Sequence, residues 1–280
     1  MQSDKQAWAA VGAALYATDP QQKVEQVRAL RWPLAPMLEV LAPPLSATPG
    51  RPTHPLLVGP KDLPKRRALH TQAGRFALLH ALAHIEFNAI NLALDALYRF
   101  PGLPKDFYRD WLRVAQEEAE HFVLLRQQLR RLGGDYGDLP AHDGLWEMAL
   151  DTAADPLERM ALVPRVLEAR GLDVTPAMRE RLLAAGDAEA AAVLARIESD
   201  ERGHVAVGSR WFRYLCAQRG LEPDSTFMTL LQQRYRGRIQ GPLALPARRA
   251  AGFSESELDW LQDRVARPPA GQQAAGVRHD

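Results

Sequence analysis

The residues best suited to chemistry in this chain are two Glu-x-x-His pairs, Glu118/His121 and Glu201/His204. A lone glutamate precedes each at a similar distance: Glu86 lies 32 residues before Glu118, and Glu168 lies 33 before Glu201. On a helix of about 3.6 residues per turn, side chains at i and i+3 project from nearly one face, so a carboxylate oxygen and an imidazole nitrogen can meet one cation. A single Glu-x-x-His says little, because glutamate is common on helices. Its recurrence, each time with an upstream glutamate, gives four carboxylates and two imidazoles in two matching halves. That is the ligand inventory of a dinuclear metal site inside a four-helix bundle.

A solvated glutamate belongs on a polar face, whereas a ligand interrupts an apolar one. All four acids interrupt apolar stripes. Leu79, Leu82, Ala83, Glu86, Ala89 and Ile90 share a face, with His84, Asn88, Asn91 and Asp95 in a separate polar row; His80 and His84 differ in phase from Glu86 and are poor ligand candidates. Phe107, Trp111, Val114, Glu118, His121 and Leu125 follow the helical period, while Arg109, Arg113, Glu120 and Gln127 look outward. Leu157, Ala161, Pro164 and Glu168 form the third stripe, and Leu194, Ile197, Glu201, His204, Gly208 and Trp211 the fourth. Buried carboxylates call for a compensating cation, and metal ions supply it. The competing reading pairs them with Arg165, Arg170 or Arg202, or leaves them partly exposed. Glu117 and Asp200, each next to a ligand candidate, are placed to accept the second N–H of a ligating imidazole, or else belong to solvated charge clusters; Glu198 is an extra ligand or a surface acid.

The elements that must position these groups are helices. Residues 4–30 read as one or two preliminary helices, followed by an irregular arm rich in proline (Pro33, Pro36, Pro43, Pro44, Pro49, Pro52, Pro55, Pro60, Pro64) that Leu56, Leu57 and Val58 would bury against the bundle. The bundle helices are expected at about Thr71 to Phe100, Asp106 to Leu132, Asp155 to Arg170 and Asp187 to Arg219, with a shorter helix from Pro176 to about Ala185. Pro164, four residues before Glu168, implies either a kink or local widening beside a ligand or a restart of the helix. DYGDLPAHDGLWEMALDTAAD is long enough for a crossover, anchored by Trp146, Met148 and Leu150; within it Tyr136, His142 and Asp143 either reach over the site or serve the crossover. Two further helices are expected near Phe227 to Tyr235 and Glu255 to Arg267, and residues 268–280 read as a disordered tail.

Composition sets outer bounds. With 280 residues, 46% hydrophobic and 25% charged, the chain can bury a sizeable core, and a net charge of +1 gives no global reason to invoke nucleic acid. Local basic stretches (Lys61, Lys65, Arg66, Arg67; Arg234, Arg236, Arg238, Arg248, Arg249) read as solvated loops, the alternative being an anionic-substrate rim. One cysteine, Cys216, excludes an intramolecular disulfide framework and cysteine-based zinc or iron–sulfur sites. The first residues lack the features of a secretory signal and no segment is expected to span a membrane, so the expected location is the cytoplasm.

The runs LLHALAHIEFNAINLALDAL, FYRDWLRVAQEEAEHF, YGDLPAHDGLWE, VLEARGLDVTP and DERGHVAVGSRWFRYLC closely resemble the ferritin-like family catalogued as domain of unknown function 455, over roughly residues 50 to 240. More distantly, the layout is similar to tRNA-modifying di-iron hydroxylases and to rubrerythrin and ferritin relatives, whose ligand pattern falls on Glu86, Glu118, His121, Glu168, Glu201 and His204. The resemblance implies an all-α fold: a ferritin-like four-helix bundle with a long crossover over residues 71–219, an N-terminal helix and arm over 1–70, and a helical C-terminal extension over 220–280.

The leading functional expectation is an oxygen-dependent di-iron oxidoreductase with two iron ions (manganese or a mixed pair as alternatives) and O2 as co-substrate. Lacking a flavin or nicotinamide fingerprint, it would need an external electron donor or a reducing substrate. The substrate would be a small molecule or a modified nucleoside; a nucleic acid itself finds little support in the charge. The alternatives are ferroxidase, metal handling or peroxide scavenging at the same ligands, and a non-catalytic helical metal-binding scaffold.

Overall fold

A computed structural model describes residues 2–31, 48–64 and 68–267, and among these the regular structure is entirely helical. Prolines 33, 36, 43 and 44 of the arm, the basic residues Lys65, Arg66 and Arg67, and the tail 268–280 lie outside the described residues. The chain divides into two compact units, Met1–Ala154 with Leu182–Val193, and Asp155–Arg181 with Leu194–Asp280.

The first unit is built on a helix pair. It is preceded by α1 (Gln2–Tyr16) and α2 (Pro20–Ala29), then formed by α3 (Gln72–Arg99) and α4 (Lys105–Arg131), and followed by α5 (Gly144–Asp151). Thr71 caps α3 by accepting the Gly74 N–H at 3.0 Å, satisfying one of the donors that a helix start leaves open. Gly74 must lack a side chain, since a Cβ there would stand 2.0 Å from the Ala68 carbonyl oxygen. Pro101 and Pro104 separate the two helices, and Gln72 Nε2 at the start of α3 donates to the Leu132 carbonyl beyond the end of α4 at 2.7 Å, so the pair runs antiparallel. Glu86 and the Glu118/His121 pair thereby sit at mid-length of neighbouring helices.

α3 is long and apolar enough to cross a membrane, which corrects the expectation that no segment reaches that length. The stretch is 83% buried within the structure, as a core helix covered on several faces is. One of those faces is the polar row: His84, Asn88, Asn91 and Asp95 are all buried. His84 Nδ1 meets the Tyr136 hydroxyl at 2.9 Å, and Arg99 forks onto Asp95 at 2.7 to 3.0 Å. On α2, Lys23 is fully buried and donates to the carbonyls of Ala14 and Leu15 at 2.8 and 2.7 Å, closing the end of α1; burial pulls its pKa down to about 7.

The described part of the arm is held by main chain rather than by apolar burial. Leu56 and Leu57 are 60% and 38% exposed, contrary to expectation, while Ala141 N donates to Leu56 O and Val58 N to Ala141 O, each at 2.9 Å. That short parallel bridge joins the arm to the crossover. Trp146 is buried as expected and Ala149 beside it, whereas Met148 and Leu150 are half-buried.

In the second unit, α6 (Pro156–Leu162) leads through a π-helical turn (Val163–Glu168) into α7 (Ala169–Ala184), which belongs to this unit up to Arg181; α8 (Ala188–Gln218), which belongs to it from Leu194, α9 (Pro223–Arg234), α10 (Leu245–Ala250) and α11 (Glu255–Ala266) follow. Pro164 has no N–H to give the carbonyl one turn back, and the backbone widens there instead of restarting. The expected end at Arg170 does not occur: α7 runs on past Gly171 and through Pro176. Gly171 does not end the helix, and a Cβ there would make only an ordinary contact, 3.5 Å from Glu201 Cγ. α10 has no counterpart in the sequence reading, because its six residues are too few for a periodicity to show. Within it Arg248 is buried and forks onto Asp173 at 2.7 and 3.0 Å, so this member of a basic stretch is not solvated.

Candidate metal centre

Three of the predicted ligands converge in the first unit. Glu86, Glu118 and His121 are 6%, 1% and 1% exposed, and each offers a ligand atom within 4.8 Å of the others. His121 Nδ1 stands 3.2 Å from Glu118 Oε2 and 3.3 Å from Glu86 Oε2. Burial, and after it the charge of Glu118, pushes the Glu86 carboxyl well above the ordinary range. Burial alone would lower the His121 pKa, but hydrogen bonds to Glu118 and Glu86 overcome it and raise it to about 11. Both shifts favour the protonated forms of Glu86 and His121 in the metal-free cluster. Two hard oxygen donors and an imidazole at this spacing suit a first-row divalent ion, and such an ion would displace those protons.

In the second unit, Glu201 and His204 project from the same face of α8, with His204 Nδ1 3.4 Å from Glu201 Oε2 and exposures of 8% and 0%. Glu168 ends the π-turn, half-buried, with its Oε2 enclosed. Among the described residues it forms no three-membered group within 4.8 Å with Glu201 and His204.

Two of the arginines that could have neutralised these acids, Arg165 and Arg170, are engaged elsewhere. Arg165 pairs with Glu257 at 2.6 Å, and Arg170 donates to the Gln240 carbonyl at 2.9 Å and lies 3.6 Å from Asp173. Glu198 is held by Arg179 at 2.7 Å, which makes it a surface ion pair. Of the two neighbouring acids, Asp200 accepts from Arg196 at 2.6 Å and the half-buried Glu117 lies 3.9 Å from Arg113.

The YGDLPAHDGLWE segment packs within the first unit. Tyr136 is buried against Phe87 and Phe122, with ring centroids 5.4 and 5.0 Å away, and Gly137 N donates to His80 Nε2 at 3.0 Å. The His142 carbonyl lies 3.2 Å from His84 Nε2, and Asp143 pairs with Arg51 at 2.8 Å. The sequence reading named Arg165 only as a possible partner of the ligand candidates and missed Glu257; both are fully buried, and nothing local announces their pairing, as 92 residues separate the two.

The family model described as "Protein of unknown function (DUF455)" matches residues 16–259. An uncharacterized protein of Haemophilus influenzae is 44% identical over 272 residues, which cover 92% of this chain and 94% of that relative. No solved structure matches the chain.

Proposed function

Taking as premise that the chain belongs to the DUF455 family, we propose that it is a ferritin-like, oxygen-dependent di-iron carboxylate oxidoreductase of the cytoplasm. Glu86, Glu118 and His121 would hold one ion, and Glu168, Glu201 and His204 the other. The observation that carries the reading is the buried convergence of Glu86, Glu118 and His121 on two regular helices. Three ionisable groups gathered out of water are costly unless a cation joins them, and structural ion pairing would have used an arginine. The matching Glu201/His204 pair supports a second ion of the same kind.

When bound, the two iron ions, or manganese in their place, would supply the redox equivalents that let O2 oxidise a C–H bond. The chain's own part is to bind, orient and exclude water. Holding an ion there would need Glu86 as an anion and His121 as a neutral nitrogen donor, so binding would release protons. The substrate would be a small molecule or a modified nucleoside, with electrons from an external donor.

A ferroxidase or metal-handling role at the same ligands is the second reading. Anaerobic loading with iron(II), then O2 with a chemical reductant, separates the two. Repeated O2 consumption with oxidation of an added organic compound supports an oxygenase; one O2-dependent oxidation of the iron followed by its release supports metal handling. Failure to take up iron contradicts both.

A further inference from the structure

The π-turn that carries Glu168 is tied to the C-terminal helices within the turn and just beyond it. Inside the turn, Arg165 donates to Glu257 of α11 at 2.6 Å, and its guanidinium lies 4.7, 4.2 and 4.5 Å from the rings of Phe212, Phe227 and Phe253. Glu257 is itself fixed, because its Oε2 also accepts the Ser254 N–H at 2.9 Å in the capping box that starts α11. Just beyond the turn, Arg248 of α10 reaches back, donating to the Ala169 carbonyl at 3.3 Å and forking onto Asp173. The Pro164 ring is seated against the bare backbone of Gly208 on α8, where a Cβ would stand 2.4 Å from it. Glu168 lies between these grips.

A π-turn holds one residue more than an α-helix of the same rise, and a slip back to α-geometry rotates everything beyond it by about 100°. Such a slip would swing Glu168 off its face. A buried ion pair like Arg165–Glu257 contributes little net stability over an apolar pair of the same shape, and its best-attested use is to fix register. We propose that Arg165–Glu257 and Arg248–Asp173 form two clamps, one within the π-turn and one just beyond it, that hold the turn in register, making all four positioning residues for Glu168. The clamps stand on geometry alone; their bearing on metal rests on the ligand role proposed for Glu168.

The test uses the full chain with Arg248→Lys, which keeps the charge but loses the fork, and Glu257→Gln, each compared with wild type. In metal-free protein, hydrogen exchange across residues 163–173 should accelerate at least tenfold in the variants, with α3 and α4 unchanged. Under iron(II), the variants should fall from two ions per chain to one, and adding Asp173→Glu to Arg248→Lys should restore the second. Should Glu257→Gln fail to fold, Arg248→Lys carries the test. Unchanged exchange across 163–173, or two ions retained in the variants, overturns the inference. Wild-type protein that takes up no iron overturns the function reading instead, and with it the ligand role of Glu168, whether or not the exchange differs.

Discussion

Glu86, Glu118 and His121 stand on uninterrupted helices, whereas Glu168 stands on a widened turn that two arginines hold in place. The ligand types and their spacing along the chain are nearly identical in the two halves, yet the means of support are opposite. In the first unit, regular geometry brings Glu86, Glu118 and His121 together, and burial favours the protonated form of Glu86. In the second, buried acids such as Glu257 and Asp173 are spent on arginines that shape the backbone. Equivalent sequence motifs therefore do not imply equivalent scaffolding, and removing the charge of a buried glutamate should have different consequences in the two halves.

The largest contrast is between two buried glutamates. Glu257→Ala strands the enclosed Arg165 and is expected to cost about 3–5 kcal/mol in urea unfolding. Glu86→Gln should leave the metal-free unfolding midpoint within about 1 kcal/mol of wild type, because burial already favours the protonated acid that Gln mimics, while metal binding at that triad is lost. Equal destabilisation by both would dissolve the distinction.

Lys23 sharpens it within the first unit. Its folded pKa near 7 lies below the ordinary 10.5, so between those values the unfolded chain binds a proton that the folded protein does not. Stability should accordingly rise with pH, by on the order of 2–3 kcal/mol from pH 7 to 9, and Lys23→Met should flatten that part of the profile. A smaller effect separates two glycines of α8. Gly208→Ala forces a Cβ into Pro164 and should cost about 1–3 kcal/mol. Gly203→Ala meets nothing within 4 Å and should gain up to about 1 kcal/mol of helix propensity in the same denaturation experiment.

These contrasts follow what the sequence could disclose. Thr71, Pro101 and Gly133 mark the limits of α3 and α4, and the helical period places Glu86, Glu118 and His121 inward, so the first triad was legible with its scaffold. The period could not tell water from a polar partner, which is why the row His84, Asn88, Asn91 and Asp95 looked like a separate polar face and is buried. Gly171 and Pro176 are strong local stop signals, and packing overrides them. Pro164 announced a disturbance without choosing between a widened turn and a restart. The choice rests on contacts with Gly208, Phe253 and Glu257, remote in sequence, and local pattern carries no information about such partners.

The central claim is that buried carboxylate–histidine sets in this chain hold redox metal. Elemental analysis of anaerobically purified wild-type and Glu118→Ala protein tests it most directly. The account predicts close to two iron or manganese ions per wild-type chain and loss of at least one in the variant, with the helical circular dichroism unchanged. Wild-type protein without metal, or a variant with undiminished content, would contradict it.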